Sequence, residues 1–135
     1  MKLLLLSAPV FCLALLAILF LQSGLDKVFN YKGNTEWLTS HFSKSPLRNM
    51  VGILMPLITI LEVAAGGFSA VGIFFILVEG NAEIGLIGAQ LSALSILGLF
   101  FGQRIAQDYV GAGTLTTYFI ISIMAIYLLW EMTPA

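Results

Sequence analysis

Four long apolar runs make up most of this chain, and they constrain its fold more than any other feature. They cover about residues 3–29, 48–78, 84–109 and 113–131. A helix rises about 1.5 Å per residue, so about 20 apolar residues cross a hydrocarbon core of about 30 Å. Each run is long enough for one crossing, and none shows the alternation of a membrane β-strand. The predicted fold is all-α, an integral membrane four-helix bundle in a single transmembrane domain, residues 1–135.

The composition agrees with a chain that faces lipid on most sides. Hydrophobic residues make up 59% of the sequence and charged residues only 10%, which is typical of a multi-pass membrane protein. The formal net charge is -1, and the six Lys and Arg residues form no basic stripe that could follow a nucleic acid. We expect the lipid bilayer and other membrane proteins as partners, leave a homo-oligomer open, and expect no nucleic acid.

The first run and the polar segment after it each allow two interpretations. A signal peptide would lie in the first run, but residues 3–21 exceed the roughly 7–15 residues of a signal-peptide core. We therefore expect an uncleaved helix. In residues 30–48, the Gly-Asn pair at 33–34 suggests a turn and Thr35 a helix cap. This segment is either a short helix lying flat at the membrane interface, with Trp37 at headgroup level, or an ordered loop.

The basic residues predict an orientation. Only Lys2 lies near the N-terminus, and the other five join helices 1 and 2 or helices 3 and 4: Lys27, Lys32, Lys44, Arg48 and Arg104. The positive-inside rule places both of these connections in the cytoplasm and both termini outside.

Cysteine and histidine are each represented once, which limits redox and metal chemistry. Cys12 alone cannot form an intrachain disulfide or a dithiol pair. His41 alone cannot supply the two axial imidazoles of a typical membrane cytochrome, and no His, Cys and carboxylate group has metal-ligand spacing. The sequence predicts no metal site and no cofactor held by the chain's own metal or haem ligands.

A cluster of polar residues is predicted where helices 1 and 3 end. In an up-and-down bundle these ends meet at one membrane face. If helix 3 continues to residue 109, Arg104, Gln107 and Asp108 share one helix face. The pairs Asp26–Arg104 and Lys27–Asp108 would then neutralise four charges. The cluster is a structural lock, a hydrated rim or a ligand site. Its members are Asp26, Lys27, Arg104, Gln107, Asp108 and Tyr109.

Glu62 is the candidate intramembrane acid. It lies about twelve residues after Met50, which corresponds to roughly 18 Å along a helix. A bare carboxylate at that depth costs at least about 2–3 kcal/mol, so it needs a proton, hydrogen bonds or a polar cavity. Thr59 and Gln90 are candidate partners. Glu62 is then either a functional group or a buried link between helices.

Small residues of the third helix predict close packing against a neighbour. They include a small-xxx-small pair at 98 and 102, and the full set is Gly85, Gly88, Ser92, Ser95, Gly98 and Gly102.

Several of these residues also carry a resemblance to a known family. The pattern is Leu21-x-x-Gly24-x-x-Lys27, then Glu62, then Gly102-x-Arg104-x-x-x-Asp108-Tyr109-x-Gly111-Ala112, followed by Tyr118-Phe119. It resembles the DoxX family of small four-helix inner-membrane proteins over nearly the whole chain. The resemblance implies a multi-pass protein of a bacterial-type inner membrane. Members of the broader DoxX and DoxD group resemble four-helix membrane thiol oxidoreductases in architecture, and some are linked to quinone-dependent thiosulfate oxidation.

Two functions follow as expectations. The first is an accessory or assembly subunit of a larger membrane complex, which is not an enzyme on its own. The alternative is a membrane component of a quinone-linked oxidoreductase of the thiosulfate:quinone type, with quinone as its ligand. This alternative would use Glu62 and the cluster of Lys27, Arg104 and Asp108. The single cysteine departs from the thiol route of the related oxidoreductases.

Overall fold

The computed structural model describes residues 4–134, and this part of the chain is built from helices. A short 3-10 turn, Leu4–Leu6, precedes α1 (Ala8–Phe29), α2 (Tyr31–His41), α3 (Val51–Glu79), α4 (Glu83–Ile105) and α5 (Tyr109–Met132). Four of them, α1, α3, α4 and α5, are long and apolar enough to cross a membrane. The predicted all-α fold with four spanning helices is confirmed, and the chain is a multi-pass membrane protein.

The helices pack in an up-and-down bundle with α3 between α1 and α4, while α5 packs mainly against α4 and also against α1. Buried apolar side chains from all four form the core, for example Leu13, Phe20, Ile76, Ile96 and Leu129. Many large apolar side chains remain exposed on the outer surface. Such a surface suits helices whose outer faces meet lipid and whose backbone groups are bonded within each helix.

Small residues let α3 and α4 approach each other closely. A methyl group on Gly72 would overlap the Cα of Gly85, and one on Gly88 would lie 2.6 Å from the backbone nitrogen of Ser69. Ser92 and Ser95 are buried on the same helix. Gly98 differs from its predicted role, because a methyl group there would meet no atom within 4 Å. The close contact therefore belongs to the first half of α4, and the helices leave space near Gly98.

The end of α4 differs from the predicted boundary at residue 109. Gln107 has a left-handed backbone with φ of 60°. Its N–H donates to the carbonyl of Arg104 at 3.1 Å, and the N–H of Asp108 donates to the carbonyl of Gln103 at 2.9 Å. These two bonds form a Schellman termination, which ends α4 at Ile105.

The last helix begins earlier than the predicted residue 113. Asp108 is its N-cap, and its Oδ1 accepts the backbone N–H of Gly111 at 2.9 Å. The glycines at 111 and 113 therefore lie inside α5. Because Asp108 caps α5, it cannot continue the helical face of α4, and the predicted shared face of Arg104, Gln107 and Asp108 is wrong.

The polar segment after α1 is a helix from its first residues, so the Gly33–Asn34 pair is not a turn. The amide of Asn34 donates to Oδ2 of Asp26 at 3.1 Å and to the carbonyl of Asn30 at 2.9 Å, which fixes α2 to the end of α1. The hydroxyl of Thr35 donates to a carbonyl within α2 and does not cap it. After α2, Phe42 is buried against Gly102 of α4. As a result α2 covers one end of the bundle.

Candidate functional site

A cavity of about 440 Å³ lies beneath α2, with walls from α1, α2, α3 and α4. Most of its lining is apolar and includes Trp37, Met55 and Phe101. The lining also contains six polar or charged residues, Ser23, Lys27, Asn34, His41, Glu62 and Gln103. The bundle therefore encloses a mainly apolar space with hydrogen-bonding groups at defined positions.

One end of the cavity is formed by a buried ion pair between α1 and α3. Nζ of Lys27 lies 3.1 Å from Oε2 of Glu62, and it also donates to the hydroxyl of Ser23 at 2.9 Å. The Glu62 side chain is 1% exposed and the Lys27 side chain 18%. Gly24 brings α1 close to α3 here, because a methyl group on it would lie 2.9 Å from Cγ2 of Val63. This approach puts Lys27 within reach of Glu62.

The sequence predicted that Glu62 needs a polar partner, and the structure supplies one in Lys27 instead of Thr59 or Gln90. Thr59 donates its hydroxyl to the carbonyl of Met55 at 2.7 Å, and Gln90 is exposed. Both expected partners are therefore wrong. Taking one charge out of water costs several kcal/mol, and a partner at hydrogen-bond distance offsets much of that cost. Lys27 is what allows Glu62 to remain buried as a carboxylate.

A second, smaller cavity of about 110 Å³ reaches Glu62 from the side of α4 and α5. It shares Ser23, Glu62 and Leu99 with the larger cavity, and Tyr118 of α5 lines its far side. Glu62 therefore lies between two spaces inside the bundle.

His41, the last residue of α2, lines the large cavity near the membrane surface. Its Nε2 lies 3.1 Å from Oε1 of Gln103 and 3.6 Å from Oδ2 of Asp108. The imidazole stacks on Trp37, with ring centroids 4.6 Å apart and planes 14° from parallel. His41 is not among the residues that the sequence predicted for the polar cluster. The spacing of Trp37 and His41, four residues apart on one helix face, was the available signal for this aromatic pair.

The cavity reaches the outer surface of the bundle between α3 and α4. Leu57 and Phe101 both line it, and they are 52% and 60% exposed. Gly98 lies in the same wall and has no side chain to close it. Leu57 and Phe101 both belong to helices that are long and apolar enough to cross a membrane.

The other members of the predicted polar cluster are arranged differently from the expected pairs. Asp26 accepts from Asn34 and not from Arg104. Arg104 lies over the ring of Tyr109, 4.4 Å from its centroid, and Lys27 pairs with Glu62 and not with Asp108. The cross-pairing is therefore wrong. The early end of α4 explains this, since it directs Asp108 towards α5 and His41.

No protein-family model, no curated protein and no solved structure matches this chain. The resemblance to the DoxX family thus stays a prediction. Between residues 4 and 134, no group of three His, Cys, Asp or Glu side chains is placed to hold a metal ion. The candidate site is therefore defined by the cavity, the Lys27–Glu62 pair and His41.

Proposed function

We propose that this chain is a DoxX-like membrane protein that binds a quinone in the cavity beneath α2, as the quinone-binding subunit of a larger redox complex. One observation carries the proposal. A mainly apolar cavity, with exposed residues of two membrane-spanning helices in its wall, borders the buried Lys27–Glu62 pair, so a lipid-soluble molecule with a polar head has a complementary site.

The lining fits the chemistry of a quinone. The volume of about 440 Å³ lies within the roughly 300–1,000 Å³ of sites that bind small molecules. The apolar walls suit a flat ring, and the gap beside Leu57 and Phe101 gives an apolar tail a path into the bilayer. When bound, a quinone carries two electrons and two protons between its oxidised and reduced forms.

Lys27 supplies the donor for an oxygen of the head group. Its ammonium has three N–H donors, of which Ser23 and Glu62 use two. The third is free for a carbonyl oxygen, and a charged donor makes the stronger kind of hydrogen bond. Glu62 accepts a hydrogen bond from the ammonium and holds it in place. Arg104, which the sequence suggested for this role, does not line the cavity.

The sequence supports a partner protein and a bacterial inner membrane as parts of the proposal. Cys12 is the only cysteine, so the chain has no dithiol of its own and the electrons for a quinone come from another protein. This agrees with the expected role as an accessory subunit. The resemblance to DoxX proteins supports a bacterial inner membrane. Five of the six basic residues lie on the side of α2, which supports a cytoplasmic position for that side.

Tryptophan fluorescence gives a direct test of binding. The chain has two tryptophans, and Trp130→Phe leaves only Trp37, which lines the cavity. Titration of the purified Trp130→Phe protein with decylubiquinone should quench Trp37 with saturation. Gly98→Phe places a ring in the open wall and should weaken binding by at least about tenfold. Gly113→Phe is the matched control, because Gly113 also has open space around it but lies outside the cavity.

The proposal fails if quenching rises linearly without saturation and is the same in all three proteins. Mass spectrometry after gentle purification from native membranes adds a second readout. Co-purifying quinone together with a stoichiometric redox protein supports the proposal. A stoichiometric protein partner without quinone would contradict quinone binding and leave only the role of an accessory subunit.

A further inference from the structure

His41 lines the cavity, and the polar contacts of its ring found in residues 4–134 all involve one of its two nitrogens. Both Gln103 and Asp108 approach Nε2, at 3.1 Å and 3.6 Å. Nδ1 takes part in none of the side-chain hydrogen bonds found in residues 4–134. The side chain of His41 is 20% exposed and lines the large cavity. The imidazole is therefore fixed through one nitrogen while it borders the binding space.

The partners of Nε2 determine which nitrogen carries the hydrogen. A neutral imidazole has one N–H and one lone pair. The carboxylate of Asp108 and Oε1 of Gln103 both accept, so the neutral tautomer that suits this arrangement has its hydrogen on Nε2. Nδ1 then carries the lone pair and acts as a hydrogen-bond acceptor.

The geometry points to a specific chemical preference of the cavity: His41 binds a hydroxyl group of the ligand, and the site favours the reduced, dihydroxy form of a quinone over the oxidised form. Asp108 and Gln103 are positioning residues that keep Nδ1 free to accept. The inference rests on the proposed function, because it assumes that the ligand belongs to the quinone class.

Lys27 and His41, which both line the cavity, require different hydrogen-bonding groups of a ligand. Lys27 can only donate, so it needs an oxygen that accepts. Nδ1 of His41 can only accept, so it needs a group that donates. A hydroquinone satisfies both, because each of its hydroxyl groups accepts and donates, whereas a quinone has two carbonyls and satisfies Lys27 alone. One added hydrogen bond corresponds to about a tenfold difference in affinity.

The experiment compares the two redox forms of one ligand. Under anaerobic conditions, decylubiquinone is titrated into the Trp130→Phe protein and its Kd is taken from Trp37 quenching. Decylubiquinol then competes for the site, and its Kd is taken from the recovery of fluorescence. A mixture of the two forms of one couple undergoes no net reaction. We expect the quinol to bind about tenfold more tightly than the quinone.

Three variants separate this role of His41 from a merely structural one. His41→Phe keeps an aromatic ring beside Trp37 and should reduce the quinol preference to about twofold or less. His41→Gln retains an amide oxygen that accepts, and should keep part of the preference. Asp108→Asn keeps an oxygen for the Gly111 N–H but loses the charge that orients Nε2, so the preference should fall about threefold. Lys44→Gln, in the connection after α2, is the control that should keep it.

The outcomes distinguish this inference from the proposed function. If neither form binds with saturation, the proposed function is wrong and the inference falls with it. If the quinone binds but the quinol binds equally well, or if His41→Phe retains the full preference, only the inference is overturned. If His41→Phe does not yield folded protein, His41→Gln and Asp108→Asn decide the question, and an undiminished preference in both contradicts it.

Discussion

The Lys27–Glu62 pair gives the sharpest prediction, because the two side chains are buried to different degrees. Lys27→Met removes the ammonium and keeps much of the apolar stem. The carboxylate of Glu62, 1% exposed, is then left without a counter-charge. Removing one partner of a buried ion pair costs about 3–5 kcal/mol. We expect Lys27→Met to lower the free energy of unfolding by about that amount.

Replacing the acid of the pair should lower the free energy of unfolding by less than replacing the ammonium. In Glu62→Gln the ammonium of Lys27 keeps its bond to Ser23, remains 18% exposed and can bond the new amide oxygen. A loss of about 1–3 kcal/mol is expected. The double variant buries no charge at this position, so it should lose less than the sum of the single losses, with a coupling energy of about 2–3 kcal/mol.

The cycle is measured by unfolding the purified proteins in mixed micelles with a denaturing detergent, followed by tryptophan fluorescence. Lys44→Met is the matched control, because Lys44 is exposed and forms no ion pair in the described chain; a change within about 0.5 kcal/mol is expected. Losses that add to within about 0.5 kcal/mol in the double variant would refute the pairing.

Two further predictions use the same unfolding assay. Gly72→Ala should destabilise the bundle by about 1–3 kcal/mol, because its methyl group would overlap Gly85 of α4. Gly67→Ala on the same helix meets open space and should be neutral or slightly stabilising, so equal losses in both would contradict the close contact of α3 and α4. Arg104→Ala should cost no more than about 1 kcal/mol, since its guanidinium lies over the Tyr109 ring and forms no ion pair within residues 4–134. Its effect should add to that of Asp26→Ala, and a coupling above about 0.5 kcal/mol would restore the rejected pair.

The sequence was sufficient for the fold because lipid imposes a simple rule. Each apolar run had to be a helix that satisfies its own backbone, and four such runs are four crossings. The need of Glu62 for a polar partner could be predicted in the same way, from its distance along the run. Its partner could not, because Lys27 lies 35 residues away and the contact depends on how closely α1 approaches α3 at Gly24. Sequence spacing within one helix carries no information on that approach.

The break between α4 and α5 shows a different limit. Gln107 adopts the left-handed conformation that glycine usually supplies, so its residue type gave no sign of a helix end. Aspartate is a preferred N-cap residue, so Asp108 is compatible with the start of a new helix. Its position four residues after Arg104 is equally compatible with a continuing helix. A continuing α4 would place Asp108 in an ion pair with Lys27. In the structure Asp108 instead contacts His41. The predicted end of α4 at residue 109 is therefore incompatible with the His41–Asp108 contact beside the cavity.

The position of the ion pair beside the cavity argues for a site and against a packing defect. A buried Lys–Glu pair is often less stabilising than apolar side chains of the same volume. Bundle stability alone would therefore favour apolar side chains at Lys27 and Glu62. The pair instead lines the cavity, and α2 adds Trp37 and His41 to the same lining. A ligand that bonds to these polar groups accounts for the presence of a pair that adds little to the stability of the bundle.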